Sequence, residues 1–148
     1  MKVSLMINGK EHITHIKPES MLIDVLRHLG FLSVKRGCDT ASCGLCTVWI
    51  EETPVLSCGY LTLRALGKNI TTLEGVQDEA KKFGEFLANE GGDQCGFCNP
   101  GFIMNVISLK RQNKKLTEDE IKTYLMGNLC RCTGYASQMR AIKKYLEV

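Results

Sequence analysis

Eight cysteines are the residues of this chain whose type and spacing can do chemistry. They form two groups of four with none left over. The first is Cys38, Cys43, Cys46 and Cys58, in RGCDTASCGLCTVWIEETPVLSCG. The second is Cys95 and Cys98 in QCGFCNPG, with Cys130 and Cys132 in GNLCRCTG. Four thiolates are what one [2Fe–2S] cluster takes, two on each iron.

The first group reads Cys-x4-Cys-x2-Cys with the fourth cysteine after eleven further residues, which is the plant-type ferredoxin spacing. Three thiolates from one short loop must converge on an object a few ångströms wide, so the backbone has to wrap around it. Gly37 and Gly44 suit such a loop, because glycine reaches φ > 0 and lets amide groups approach sulfur. Amides aimed at sulfur raise a cluster's reduction potential. A zinc site also takes four cysteines, normally as two short pairs. The second group, Cys-x2-Cys then Cys-x-Cys across 31 residues, is less diagnostic: by spacing alone it is a metal site, zinc or iron–sulfur.

Composition sets the context. Hydrophobic residues make up 44% of the 148 and charged residues 24%, ordinary for a globular protein. The formal charge of +3 is no nucleic-acid footprint, which would be a basic stripe with interleaved aromatics. The short apolar run Val3 to Ile7 falls below a secretory core and far below a membrane span. The expected location is therefore cytoplasmic, where thiols stay reduced and dense cysteine signals metal rather than disulfides.

The elements that must position these cysteines differ between the halves. Val3, Leu5 and Ile7 alternate ahead of Asn8-Gly9, a hairpin-turn signal, and a second strand carries Ile13 and Ile16. Ser20 is placed to cap a helix through Leu22, Val25, Leu26 and Leu29, with Gly30 ending it. Strands follow at Thr47 to Ile50, Val55-Leu56 and Asn69 to Leu73, with a turn expected at Thr53-Pro54. After Gly75 the pattern is helical. One helix spans about Val76 to Glu90. A second runs from an Asn99 N-cap with Pro100 at its first position to about Gln112. A third starts from the capping box at Thr117 to Glu120, and a fourth covers about Ala136 to Leu146. Cys95 and Cys98 then precede a helix N-terminus, whose partial positive charge favours thiolates. Cys130 and Cys132, two apart in an extended stretch, should point the same way. The expected fold class is α+β: a β-grasp, plant-type ferredoxin-like domain at 1–75, then an all-α four-helix domain at 76–148.

Taken together, RGCDTASCGLCTV, SCG, QCGFCNPG and GNLCRCTGY resemble the small iron–sulfur subunit, or N-terminal domain, of the molybdenum hydroxylases, the family of xanthine dehydrogenase, aldehyde oxidase and carbon monoxide dehydrogenase. The resemblance covers essentially the whole chain. It implies two [2Fe–2S] clusters, one held by Cys38, Cys43, Cys46 and Cys58, the other by Cys95, Cys98, Cys130 and Cys132. It implies a molybdopterin-binding large subunit and usually an FAD-binding medium subunit as partners. Electrons would pass from the molybdopterin site through the helical-domain cluster and the ferredoxin cluster to FAD or another acceptor, with no substrate-converting centre in this chain. By the same resemblance Gln94 and Cys132 would lie against the partner's molybdopterin. Three positions depart from the family. Asn99 replaces the common threonine, and both cap helices well. Ala41 replaces a glycine, and alanine resists φ > 0, so the loop there need not follow the family's conformation. Gln138 replaces an aliphatic residue, a change expected to alter packing of the last helix.

His12, His15 and His28 are not needed as ligands beside eight thiolates. Lys35 and Arg36 either offset cluster charge or are solvated. No glycine-rich phosphate fingerprint follows a strand. Two other classes stay open on sequence alone: a free ferredoxin-like electron carrier, and a zinc-stabilised interaction module.

Overall fold

The computed structural model describes residues 1–148. Strands β1 (Lys2–Ile7) and β2 (Lys10–His15) form the expected hairpin. Its turn is Asn8-Gly9, both at positive φ (52° and 75°). Helix α1 (Leu22–His28) follows, then β3 (Thr47–Ile50), β4 (Thr53–Leu56) and β5 (Asn69–Thr71). The sheet order is β2-β1-β5-β3-β4, with β5 parallel to β1 and antiparallel to β3. Four helices complete the chain: α2 (Gln77–Asn89), α3 (Asn99–Arg111), α4 (Glu118–Leu125) and α5 (Ala136–Leu146). The α+β class with a β-grasp sheet and four following helices is as the sequence led us to expect.

Two hydrophobic cores form. The first gathers Leu5, Ile7, Leu22, Ile23, Leu26, Val48 and Ile70 between the sheet and α1. The second gathers Phe83, Leu87, Phe102, Met104, Ile107, Ile121 and Ile142 among the helices, and it also takes in Trp49 from β3. The strand patterns explain this. Side chains alternate across a strand, and β1 buries only every second residue, so one of its faces is bare. All four residues of β3 are buried: Val48 and Ile50 enter the first core while Trp49 enters the second. The Trp49 indole N–H donates to the Met104 carbonyl at 3.1 Å, so its one polar atom is satisfied where it is buried.

Several local expectations are corrected. The β3–β4 turn is Glu51-Glu52, both left-handed. Thr53-Pro54 instead opens β4, where Pro54 pairs with Trp49. An edge strand tolerates proline because its missing N–H faces away from the sheet. Ser20 does not cap α1. Met21 holds that position without a side-chain bond, and the Ser20 hydroxyl accepts from the Lys17 N–H. Asn99 is the first helical residue of α3, and Cys98 is the N-cap. Gly30 and the Thr117–Glu120 capping box behave as expected.

Candidate iron–sulfur centre

The first cysteine loop is shaped by close approach. Gly44 sits at φ +75°, and a Cβ there would lie 2.4 Å from the Gly127 carbonyl oxygen. Gly37 has no positive φ. Its role is space, since a Cβ would meet a Leu45 methyl at 2.7 Å and the Cys43 sulfur at 3.3 Å. Ala41, the residue that should resist the left-handed region, adopts it at φ +54°. The loop therefore keeps a glycine-like turn without a glycine. Just beyond it, the Ser42 N–H donates to the Cys38 sulfur at 3.4 Å. Cys58 reaches the group from a short 3-10 turn, Ser57–Gly59.

None of the eight cysteines is paired in a disulfide. Cys38 neighbours Cys43, and Cys58 neighbours Cys46. In the second group the pairing crosses the motifs: Cys98 meets Cys130, and Cys132 meets Cys95. The stretch between Cys130 and Cys132 is bent, with the Cys132 N–H donating to the Cys130 sulfur at 3.5 Å. The two sulfurs therefore serve different partners, which an extended stretch would not have produced. No three His, Cys, Asp or Glu side chains converge as a single ion's ligand set would require.

The electrostatics of each group follow from crowding. Burial, then the neighbouring sulfurs, pushes Cys58 and Cys98 each up to about 12. Burial also raises Cys43, and the Cys95 sulfur raises Cys132. Two thiols go the other way. Cys38, half-buried, is lowered to about 6, chiefly by the Ser42 N–H. At Cys130 burial is outweighed by donors: the Thr133 hydroxyl at 3.2 Å and the amides of Cys132 and Thr133. Thiolates packed this way repel one another. Bound iron would reverse that, because a coordinating thiol is held deprotonated by the metal's charge. The donor set, sulfur only and in opposed pairs, fits a binuclear iron–sulfur group.

The two groups are joined across the halves. A Cβ on Gly101 would lie 2.3 Å from the Gly44 carbonyl oxygen, so the start of α3 rests on the first cysteine loop. The Leu129 N–H donates to the Cys43 carbonyl at 2.9 Å. Asn105 on α3 donates to Thr47 Oγ1 at 3.3 Å and to Asn128 Oδ1 at 3.0 Å. A residue of the first quartet, Cys43, thus bonds the immediate neighbour of Cys130 in the second.

Gln94 is exposed, its amide donating to the Gly91 carbonyl at 3.0 Å. Cys95 and Cys132 are exposed beside Phe97, 49% accessible, and Leu129, 47% accessible. Arg36 pairs with Asp24 at 2.5 Å, and Lys35 lies over the Phe97 ring. His12 packs edge-on against Phe31. Spacing did not single out Thr133, Tyr135 or the Asn105–Asn128 pair. Thr133 and Tyr135 do sit in the CRCTGY run, and the Tyr135 hydroxyl accepts from the Cys130 N–H at 3.0 Å. The asparagines had no local signal, since their contacts span 58 and 23 residues.

Comparison with known proteins agrees with this geometry. Residues 5–88 match the 2Fe-2S iron-sulfur cluster binding domain, and residues 72–143 match the [2Fe-2S] binding domain. The chain is 46% identical over 133 residues to the xanthine dehydrogenase iron-sulfur-binding subunit of Escherichia coli O157:H7, covering 87% of this chain and 84% of that one. It is 37% identical to the nicotinate dehydrogenase small FeS subunit of Eubacterium barkeri, covering 98% and 94%. Among solved structures, quinoline 2-oxidoreductase from Pseudomonas putida 86 superposes with a TM-score of 0.89 at 34% identity, covering 99% of this chain and 92% of that chain. Aldehyde oxidoreductase from Desulfovibrio gigas superposes at 0.88 with 33% identity, this chain matching 17% of that longer one. The chain belongs to the small two-[2Fe–2S] iron–sulfur subunits of the molybdenum hydroxylase family.

Proposed function

We propose that this chain is the electron-transfer subunit of a molybdenum hydroxylase complex, in which Cys38, Cys43, Cys46 and Cys58 hold one [2Fe–2S] cluster and Cys95, Cys98, Cys130 and Cys132 hold the other. A bound cluster supplies one-electron uptake and release. The sulfur neighbours suggest the division of ligands: Cys38 with Cys43 and Cys46 with Cys58 on the irons of the first, Cys98 with Cys130 and Cys95 with Cys132 on those of the second. The protein's part is to exclude water from Cys43 and Cys46, to donate N–H groups to sulfur, and to fix the two sites relative to each other.

The observation that carries the reading is the bond from the Leu129 N–H to the Cys43 carbonyl. It gives a continuous route of covalent bonds and one hydrogen bond between the two ligand sets. The exposed surface at Gln94, Phe97, Leu129 and Cys132 is where a molybdopterin-binding large subunit would dock, with Cys132 as ligand and as the point of entry. The related proteins are subunits by their names, which supports partner subunits for this chain, and the motif resemblance makes these a molybdopterin-binding and an FAD-binding subunit. A cytoplasmic setting matches dense cysteine without disulfides, and no helix is long and apolar enough to cross a membrane.

The test is metal and sulfide analysis of the purified holo complex, with EPR after dithionite reduction. The reading expects about four irons and four acid-labile sulfides per chain, in two distinct signals. Half that content, or zinc in place of iron, would overturn it. Isolation of the chain with stoichiometric molybdopterin and flavin subunits separates a resident subunit from a free carrier.

A further inference from the structure

Gln138, in the first turns of α5, is only 3% exposed. Its backbone packs against Gly92, where a Cβ would lie 3.5 Å from the Gln138 nitrogen. The side-chain amide Nε2 points at the Cys98 sulfur, 3.9 Å away, and that sulfur is its partner. A buried glutamine needs a reason, because an amide taken from water without a strong partner costs free energy. A thiol is a weak acceptor and compensates poorly. A thiolate sulfur bearing part of a cluster's negative charge is a far better one, since hydrogen bonds to charged acceptors are about twice as strong.

From this geometry we infer that Gln138 is a potential-setting residue for the second cluster: its amide N–H stabilises the reduced state through the Cys98 sulfur. The inference rests on Cys98 being a ligand of that cluster. Reduction adds an electron and concentrates negative charge on the iron–sulfur unit, so a fixed donor favours the reduced form and raises the potential. Little water competes at this buried position, which strengthens the effect. Gln138 does not bind iron. It acts through Cys98.

The experiment is a redox titration of the holo complex followed by EPR, comparing wild type with Q138M and Q138E. Methionine keeps the length and apolar volume but cannot donate. Glutamate keeps the shape and replaces the donor with a charge. Q138M should lower the midpoint of one of the two signals by about three- to tenfold in the one-electron equilibrium constant, the upper end being about 59 mV. Q138E should lower the same midpoint further. The other signal should titrate as in wild type. Midpoints that stay put in both variants, or that move together for both signals, would refute the role of Gln138 while leaving the two-cluster reading intact. A wild-type sample with one signal, or with half the iron and sulfide, refutes the cluster reading itself.

Discussion

Individual residues here are governed by what surrounds the sulfur atoms. Cys38 and Cys58 belong to one group, yet one is lowered by amide donation and the other raised by burial. Replacing Cys98 by serine should remove the second site's signal and about half the iron, with the first signal retained, as read by EPR and metal analysis. Ala41 is the other informative residue. At φ +54° an L-residue with a Cβ carries a penalty of about 1 kcal/mol that glycine does not. Ala41→Gly should therefore stabilise the protein by up to about 1 kcal/mol, measured by denaturant unfolding followed at the cluster absorbance. A stability loss of that size would mean the loop is not strained there.

Among the elements, caps and clasps matter more than propensity. The Thr117 hydroxyl and Glu120 carboxylate satisfy each other's backbone N–H groups at the start of α4. Thr117→Ala should cost about 1 kcal/mol, read as a lowered Tm with both EPR signals unchanged. Glu74 ties the turn after β5 to the segment after α1, accepting from the Ser33 N–H and from the hydroxyls of Ser33 and Thr72. Burial raises its pKa, but those donors outweigh burial, and the carboxyl stays below its ordinary 4.5. Because the folded-state value is the lower one, this clasp contributes fully above pH 4.5 and is lost as pH falls through the depressed value. Glu74→Gln should flatten the acid limb of the stability curve. An acid limb identical to wild type would assign the acid sensitivity elsewhere.

At the scale of the whole molecule, Trp49 is the joint. It leaves the sheet of the first half to sit in the core of the second, and Arg111 from α3 covers its ring at 4.6 Å while pairing with Glu52 and Glu79. The two halves should unfold together. Trp49 fluorescence and the visible absorbance of both sites are expected to share one denaturant midpoint in the holo protein. Two separated midpoints would show halves that are only tethered. Gly101→Ala should disturb this joint more than its size suggests, because the added methyl has backbone rather than a flexible side chain in its way.

Most of the architecture was already written in local pattern. The alternation in β1, the Asn8-Gly9 turn, the Thr117 box and the helical stripes are each short-range signals, and each element formed where its signal lay. Local chemistry also determined the number and spacing of the cysteines. Where the sequence reading slipped, the competing cause was a neighbour or a left-handed residue that composition does not reveal. Glu51-Glu52 took the turn from Thr53-Pro54, Ser20 turned back to Lys17, and Ala41 accepted a glycine's conformation. Tertiary structure alone decided which sulfur faces which, that Cys43 bonds Leu129, and that Gln138 is aimed at Cys98. The relations that cross between motifs, Cys98 with Cys130, Cys95 with Cys132, Gln138 with Cys98 and Leu129 with Cys43, join residues from 32 to 86 positions apart in the chain, and only the packing of α3 and α5 onto the first cysteine loop and the second motif brings them together.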